Sequence, residues 1–222
     1  MRPGARLIVS TLAMALAIGA ATAACASPGV VPLAAIDLGL ATTEVEFLGV
    51  KAVKVVESGT GNTLVALPTP PFRDGVIELK AAGAPVAGAN PAVRGFFGLA
   101  FGVAGPERYE CFYLRATNGR SDDPVRRGHA VQYVSSPDYG WPRLREEHPG
   151  RYETAADIGP NEWVRLRIVL RDGKALIYVN GAQTPTLEVE RLAADPNAGG
   201  LALWVGPGSE AYFADLTVTP AG

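Results

Sequence analysis

The sequence predicts an all-β domain, a two-sheet antiparallel β-sandwich, and three observations predict it. From about Ala41 onward, short runs rich in Val, Leu, Ile, Phe and Tyr are separated by Gly, Pro, Asn and Asp. In the clearest of these runs apolar and charged residues alternate, which turns one strand face to a core and the other to water. Beyond the N-terminal leader, no stretch carries the longer periodicity of a convincing helix.

From the N-terminus, "MRPGARLIVSTLAMALAIGAATAACAS" has Arg2 and Arg6, an apolar run from Leu7 to about Ala20, and small residues from Ala21 to Ala26. That is the pattern of an export signal over residues 1–26. The run falls short of the roughly 20 residues a spanning helix needs, so the chain is expected outside the cytoplasm with no transmembrane span. Two endings overlap. An Ala-x-Ala cut at Ala21-Thr22-Ala23 or Ala24-Cys25-Ala26 releases a soluble secreted or periplasmic protein. Alternatively, "TAAC" resembles a bacterial lipobox, with Thr22 where Leu usually stands, and Cys25 becomes a lipidated first residue at the cell surface. Residues 27–40 read as a linker and 41–222 as the domain.

The predicted strands follow in order: "TEVEFLG", "KAVKVVE", "TLVALP", "GVIELKA", "FFGLAFGVA", "YECFYLRAT", "HAVQYVSS", "WVRLRIVLR", "KALIYVNG", "PTLEVERL", "GLALWVG" and "AYFADLTVT". The eighth to tenth form the clearest unit. Val164, Leu166, Ile168 and Leu170 alternate with Arg165, Arg167 and Arg171; Asp172-Gly173 and Asn180-Gly181 then supply tight reversals, because two-residue hairpin turns need positive φ. A three-stranded meander is expected. Between Ser135 and Glu162 no regular element can be placed.

Composition excludes several classes. Without the first 26 residues, 18 Lys and Arg stand against 22 Asp and Glu, a net charge of −4, and no basic stripe suits nucleic acid. Cys111 is left as the sole cysteine of the domain and reads as a small buried apolar residue, so no disulfide framework is expected. Two histidines 19 residues apart, with no cysteine partner, do not make a zinc site.

The Trp-opened strand with its hairpin, "ALIYVNG", "GLALWVG" and "AYFADLTV" resemble the second half of a concanavalin A-like jelly roll. That superfamily includes lectin, laminin-G-like and family-16-glucanase-like domains, and the likeness spans about Glu44 to Pro220. It implies two curved sheets with a ligand on the concave one. Trp163 and Trp204 are expected in the core. The Glu-x-Asp-x-x-Glu strand motif of the resembled glucanases is absent, so their two-carboxylate mechanism is not carried over. Such sandwiches often bind calcium, for which Asp215, and less so Asp157 and Asp74, are candidates; no other cofactor is implied.

Polar and aromatic chemistry concentrates in one stretch. From Arg115 to Glu153 there are seven arginines, six carboxylates and no lysine. Guanidinium forks pair bidentately with carboxylates or adjacent hydroxyls, so this choice suits either a salt-bridged excursion or a sugar- or uronate-binding surface. Sugars offer an apolar ring face edged by hydroxyls. Tyr139 and Trp141 are candidate platforms, and Arg143 and Arg145 candidate forks. Tyr113, Arg115, Asn118, His129 and Gln132 extend the candidate ligand set. Glu78, His129 and Glu153 are the catalytic candidates, with acid and base roles.

Three readings follow: an exported lectin-like protein binding an oligo- or polysaccharide, a glycan-cleaving hydrolase or lyase of the same fold, and a laminin-G-like adhesion module binding protein. The first expects a groove, the second a pair of acid/base groups across it, and the third a flat apolar patch.

Overall fold

The computed structural model describes residues 1, 29–30, 42–57, 61–193 and 199–221. The strands are β1 (Gly29–Val30), β2 (Thr42–Phe47), β3 (Val50–Val56), β4 (Thr63–Ala66), β5 (Gly75–Pro85), β6 (Phe96–Gly105), β7 (Arg108–Arg115), β8 (Val131–Ser136), β9 (Glu153–Thr154), β10 (Val164–Arg171), β11 (Lys174–Val179), β12 (Leu187–Glu190), β13 (Gly200–Val205) and β14 (Ser209–Pro220). They form two antiparallel sheets. The eight-stranded sheet runs β12-β11-β10-β5-β14-β3-β2, with β1 also paired to β14, and the six-stranded sheet runs β4-β13-β6-β7-β8-β9.

All twelve expected strands are present, and the β10-β11-β12 meander turns where predicted. Asp172, Gly173, Asn180 and Gly181 all take positive φ, between 53° and 78°. The core lies between the sheets. Ile77, Leu79, Leu166, Ile168, Leu170 and Phe213 of one meet Phe97, Leu99, Phe101, Phe112, Leu114 and Tyr133 of the other, all 3% exposed or less. Each such side chain contributes about 1.5–3 kcal/mol by leaving water, enough to hold the layers without a disulfide. Cys111 is fully buried, and desolvation pushes its thiol well above the usual range, in keeping with an inert packing role.

One polar group enters this core. Glu110 accepts from Tyr133 and from Arg191, whose Nη2 lies 2.5 Å from Glu110 Oε2. Arg191 follows β12 of the opposite sheet, so the pair ties the two layers together.

Within the stretch 27–40, Gly29 and Val30 form β1 by pairing with Val218 and Thr217. The export signal, Cys25 and the rest of that stretch lie outside the described residues. The stretch from Ser135 to Glu162 is not irregular throughout: it holds helix α2 (Trp141–Glu147) and the short β9, and α1 (Pro124–Arg127) precedes β8. α1 starts at Pro124 and α2 has Pro142 at its second position, where the preset φ suits a first turn, and the Asp123 carboxylate accepts from the Val125 amide at 2.8 Å. No helix among the described residues is long and apolar enough to cross a membrane.

Candidate functional site

The pairing registers place Leu64, Trp204, Gly98, Tyr113, Gln132 and Glu153 in one row across the outer face of the six-stranded sheet. β13 and β7 are two strand spacings apart, about 10 Å. Gly98 stands between them without a side chain, so the Trp204 and Tyr113 rings lean together and stack at 4.8 Å.

The excursion after β8 folds back over this row. Leu144 of α2 is 1% exposed and anchors the helix. One turn of α2 brings Trp141 and Arg145 to the same side, with the guanidinium 4.8 Å from the indole centre. Arg145 then forks onto Glu153, Nε to Oε1 at 2.8 Å and Nη2 to Oε2 at 2.6 Å. His129 Nε2 lies 3.3 Å from Glu153 Oε1.

Arg115 is the hub. It is 5% exposed and donates to the His129 carbonyl at 2.8 Å, the Tyr113 hydroxyl at 2.9 Å and Gln132 Oε1 at 3.2 Å. Its guanidinium lies 5.0 Å from the Tyr113 ring centre and 5.9 Å from that of Trp141. Gln132 Nε2 donates to the carbonyls of Tyr133 and Tyr152, and Asn118 Nδ2 to that of His129. Arg115, Gln132, Asn118 and Glu153 are all buried; Arg115 joins Gln132 and shares the His129 carbonyl with Asn118, while the Arg145 fork on Glu153 and the Gln132 bond to the Tyr152 carbonyl fasten the excursion to the sheet. Burial pushes the Tyr113 phenol up, and it pushes His129 down from its ordinary 6.5, an effect opposed by Glu153 and reinforced by Arg145 and Arg115.

Beside the network the same face opens into a groove of about 270 Å³, lined by Phe96, Tyr109, Tyr113, Trp141 and Trp204 together with Asn62, Val134, Ser136 and Pro137. The Tyr109 hydroxyl accepts from Asn62 Nδ2 at 3.1 Å and from Trp204 Nε1 at 3.2 Å. Trp141 is 45% exposed, unlike the other rings that line it.

The structure thus brings together Tyr113, Arg115, Asn118, His129, Gln132, Trp141 and Glu153 but leaves only Trp141 and, in part, His129 accessible. Tyr139 and Arg143 stay apart from the groove. Arg143 covers the Tyr139 ring at 4.4 Å and pairs with Glu147 at 2.8 Å. Glu78 does not converge with the others, because it belongs to β5 and points from the outer face of the other sheet. Asp215, Asp157 and Asp74 each face a cation, Lys80 at 2.7 Å, Arg120 at 2.6 Å and Arg73 at 3.4 Å, and no group of three or more metal-ligating side chains occurs among the described residues.

Trp204 is buried as expected, but in the groove wall rather than between the sheets. Its signal was present in "GLALWVG", where the aliphatic Leu201, Leu203 and Val205 alternate out of phase with it. Trp163 also lies outside the inter-sheet core. It is half-buried and stands 5.5 Å from Phe47 of β2, edge to face, while Phe47 stacks on Tyr212 of β14.

The architecture is that of jelly-roll sandwich lectins and carbohydrate-binding modules. The carbohydrate-binding module CBM66 from Bacillus subtilis superposes with a TM-score of 0.55 at 11% identity, covering 88% of this chain and 98% of that one. The exoplasmic/lumenal domain of VIP36, in its calcium- and Man3GlcNAc-bound form, gives 0.57 at 11% identity, covering 88% and 89%. A Bacillus subtilis protein of unknown function with a galectin-like fold gives 0.52 at 14%, covering 81% and 86%. No protein-family model and no curated protein sequence matches the chain.

Proposed function

We propose that this is an exported lectin-like protein that binds an oligosaccharide on the outer face of its six-stranded sheet. The observation that carries the reading is the aromatic groove, in which the half-exposed Trp141 ring, backed by the guanidinium groups of Arg145 and Arg115, stands beside the stacked Tyr113 and Trp204 rings. Aromatic faces suit the C–H face of a pyranose, and the Asn62 amide, Tyr109 hydroxyl and Ser136 hydroxyl supply edge hydrogen bonds. The sandwich shared with carbohydrate-binding modules and lectins supports the same class of ligand. The N-terminal leader supports export, either as a released protein or through a lipid anchor on Cys25.

Within this cluster Glu153 is the one carboxylate among the described residues, and both its oxygens accept from Arg145. The carboxyl pair of a retaining or inverting hydrolase is therefore lacking here, and the acid/base pair that is present, His129 with Glu153, has its carboxylate held by the Arg145 fork, which favours binding over cleavage. Incubating the full chain on a glycan array, with product analysis of whatever it captures, tests the reading. Saturable binding without cleavage is expected. Trp141→Ala should abolish binding with the melting temperature nearly unchanged. A large drop in melting temperature would assign Trp141 to packing, and cleaved product would overturn the binding reading in favour of a hydrolase or lyase.

A further inference from the structure

The opposite side of the sandwich carries a second depression, and its chemistry differs. Glu78 and Lys80 of β5, Arg165 and Arg167 of β10, Tyr178 of β11 and Asp215 of β14 line a groove of about 610 Å³ on the outer face of the eight-stranded sheet. The alternation in "VRLRIVLR" turns Arg165 and Arg167 away from the core, and the registers set Arg165 opposite Lys80, and Arg167 between Glu78 and Tyr178. Two irregularities bound it. β14 shifts register between Ala214 and Thr217, where Asp215 takes φ 52° and reaches Lys80 at 2.7 Å. The Asn180-Gly181 turn closes the other side, and Gly181, at φ 78°, has no side chain to cover the Arg165 guanidinium beside it.

The ion pairs do not cancel. Lys80 is matched by Asp215, and Arg167 meets Glu78 loosely at 3.8 Å. Arg165 forms no ion pair among the described residues, so its fork faces the groove unmatched. The Arg167 guanidinium lies 5.1 Å from the Tyr178 ring centre, a flat platform next to that fork.

We propose that this groove is a second binding site, for a carboxylate-bearing saccharide of the oligouronate kind. Arg165 grips the carboxylate bidentately, the Arg167–Tyr178 platform takes the sugar ring, and Gln183 in the adjoining loop offers its amide to a hydroxyl. A free phosphate or acetate would use the fork and leave the platform and most of the volume empty, whereas a chain of two or three sugar rings fills both. The site stands independently of the aromatic groove on the other face.

The test is an NMR titration of the nitrogen-15-labelled full chain with trigalacturonate, with maltotriose as the neutral control. Amide shifts confined to Arg165, Gly181 and Gln183 and their neighbours are expected, with weaker affinity as salt rises. Arg165→Gln should weaken binding about tenfold or more, Arg165→Lys should restore part of it as a point charge, and Trp141→Ala should leave it unchanged. Equal binding of maltotriose at these residues, an unaltered affinity in Arg165→Gln, or loss of binding in Trp141→Ala would each overturn the proposal.

Discussion

The two outer faces of this sandwich start from the same strand chemistry and end differently. β7 sets a ring and a guanidinium two residues apart, Tyr113 and Arg115, while β10 sets Arg165 and Arg167 at the same spacing with Tyr178 alongside. Over the six-stranded sheet the α2 excursion lays Trp141 over Arg115, which is 5% exposed and donates to acceptors on β7, β8 and the turn before β8. Over the eight-stranded sheet no comparable segment among the described residues covers Arg167, which keeps 44% of its side chain exposed. Strand alternation decides which face an arginine occupies; the connection that folds over that face decides whether it braces the fold or stays open to solvent. The proposed site on the first face therefore rests on ring shape, and the one proposed on the second rests on charge.

Substitution at the two hubs gives the largest contrast. Arg115→Ala leaves Gln132 Oε1 and the Tyr113 hydroxyl without their buried donor and should cost about 3 kcal/mol, roughly 6–12 °C in melting temperature for a domain of this size. Arg165→Ala, on the open face, should stay within about 0.5 kcal/mol of the parent by urea unfolding. Equal losses at the two positions would erase the distinction drawn here.

A smaller effect should separate the faces by pH. Burial lowers the pKa of His129 in the folded protein, so the unfolded chain takes up the proton first. This residue's contribution leaves stability undiminished above pH about 6.5, and stability is lost as pH falls from there toward the folded value. Replacing it by Gln should flatten that acid slope in urea unfolding curves measured from about pH 7.5 to 5. A slope that the replacement leaves untouched would mean that Glu153 and its two arginines keep His129 as easily protonated as in the unfolded chain.

The strands were legible because alternating aliphatic residues and Asp-Gly and Asn-Gly turns are local signals. The helix in the excursion is also marked locally, by Pro142 and the helix-forming residues after it, but with seven residues and Leu144 alone buried it carries no apolar periodicity. The groove itself was half legible. Tyr113 and Trp141 stood out by type, whereas Trp204 and Phe96 come from strands distant in sequence, and only the sheet order β13-β6-β7 sets them side by side. Glu78 lies away from the other candidates for the same reason, since the sheet its strand joins depends on long-range pairing with β10 and β14. The burial of Arg115 and Gln132 depended on α2 docking across them, which no strand pattern reports.

The three tryptophans report on the account most directly, because they divide between the faces: Trp141 and Trp204 in the aromatic groove, Trp163 beside Phe47 on the eight-stranded sheet. Their indole N–H resonances should be followed by NMR while the full chain is titrated with the neutral glycan it captures best. Movement of the Trp141 and Trp204 signals with Trp163 unmoved is the predicted result. A shift of Trp163 with the other two still would place the sugar on the wrong side of the molecule and contradict the assignment of the binding face.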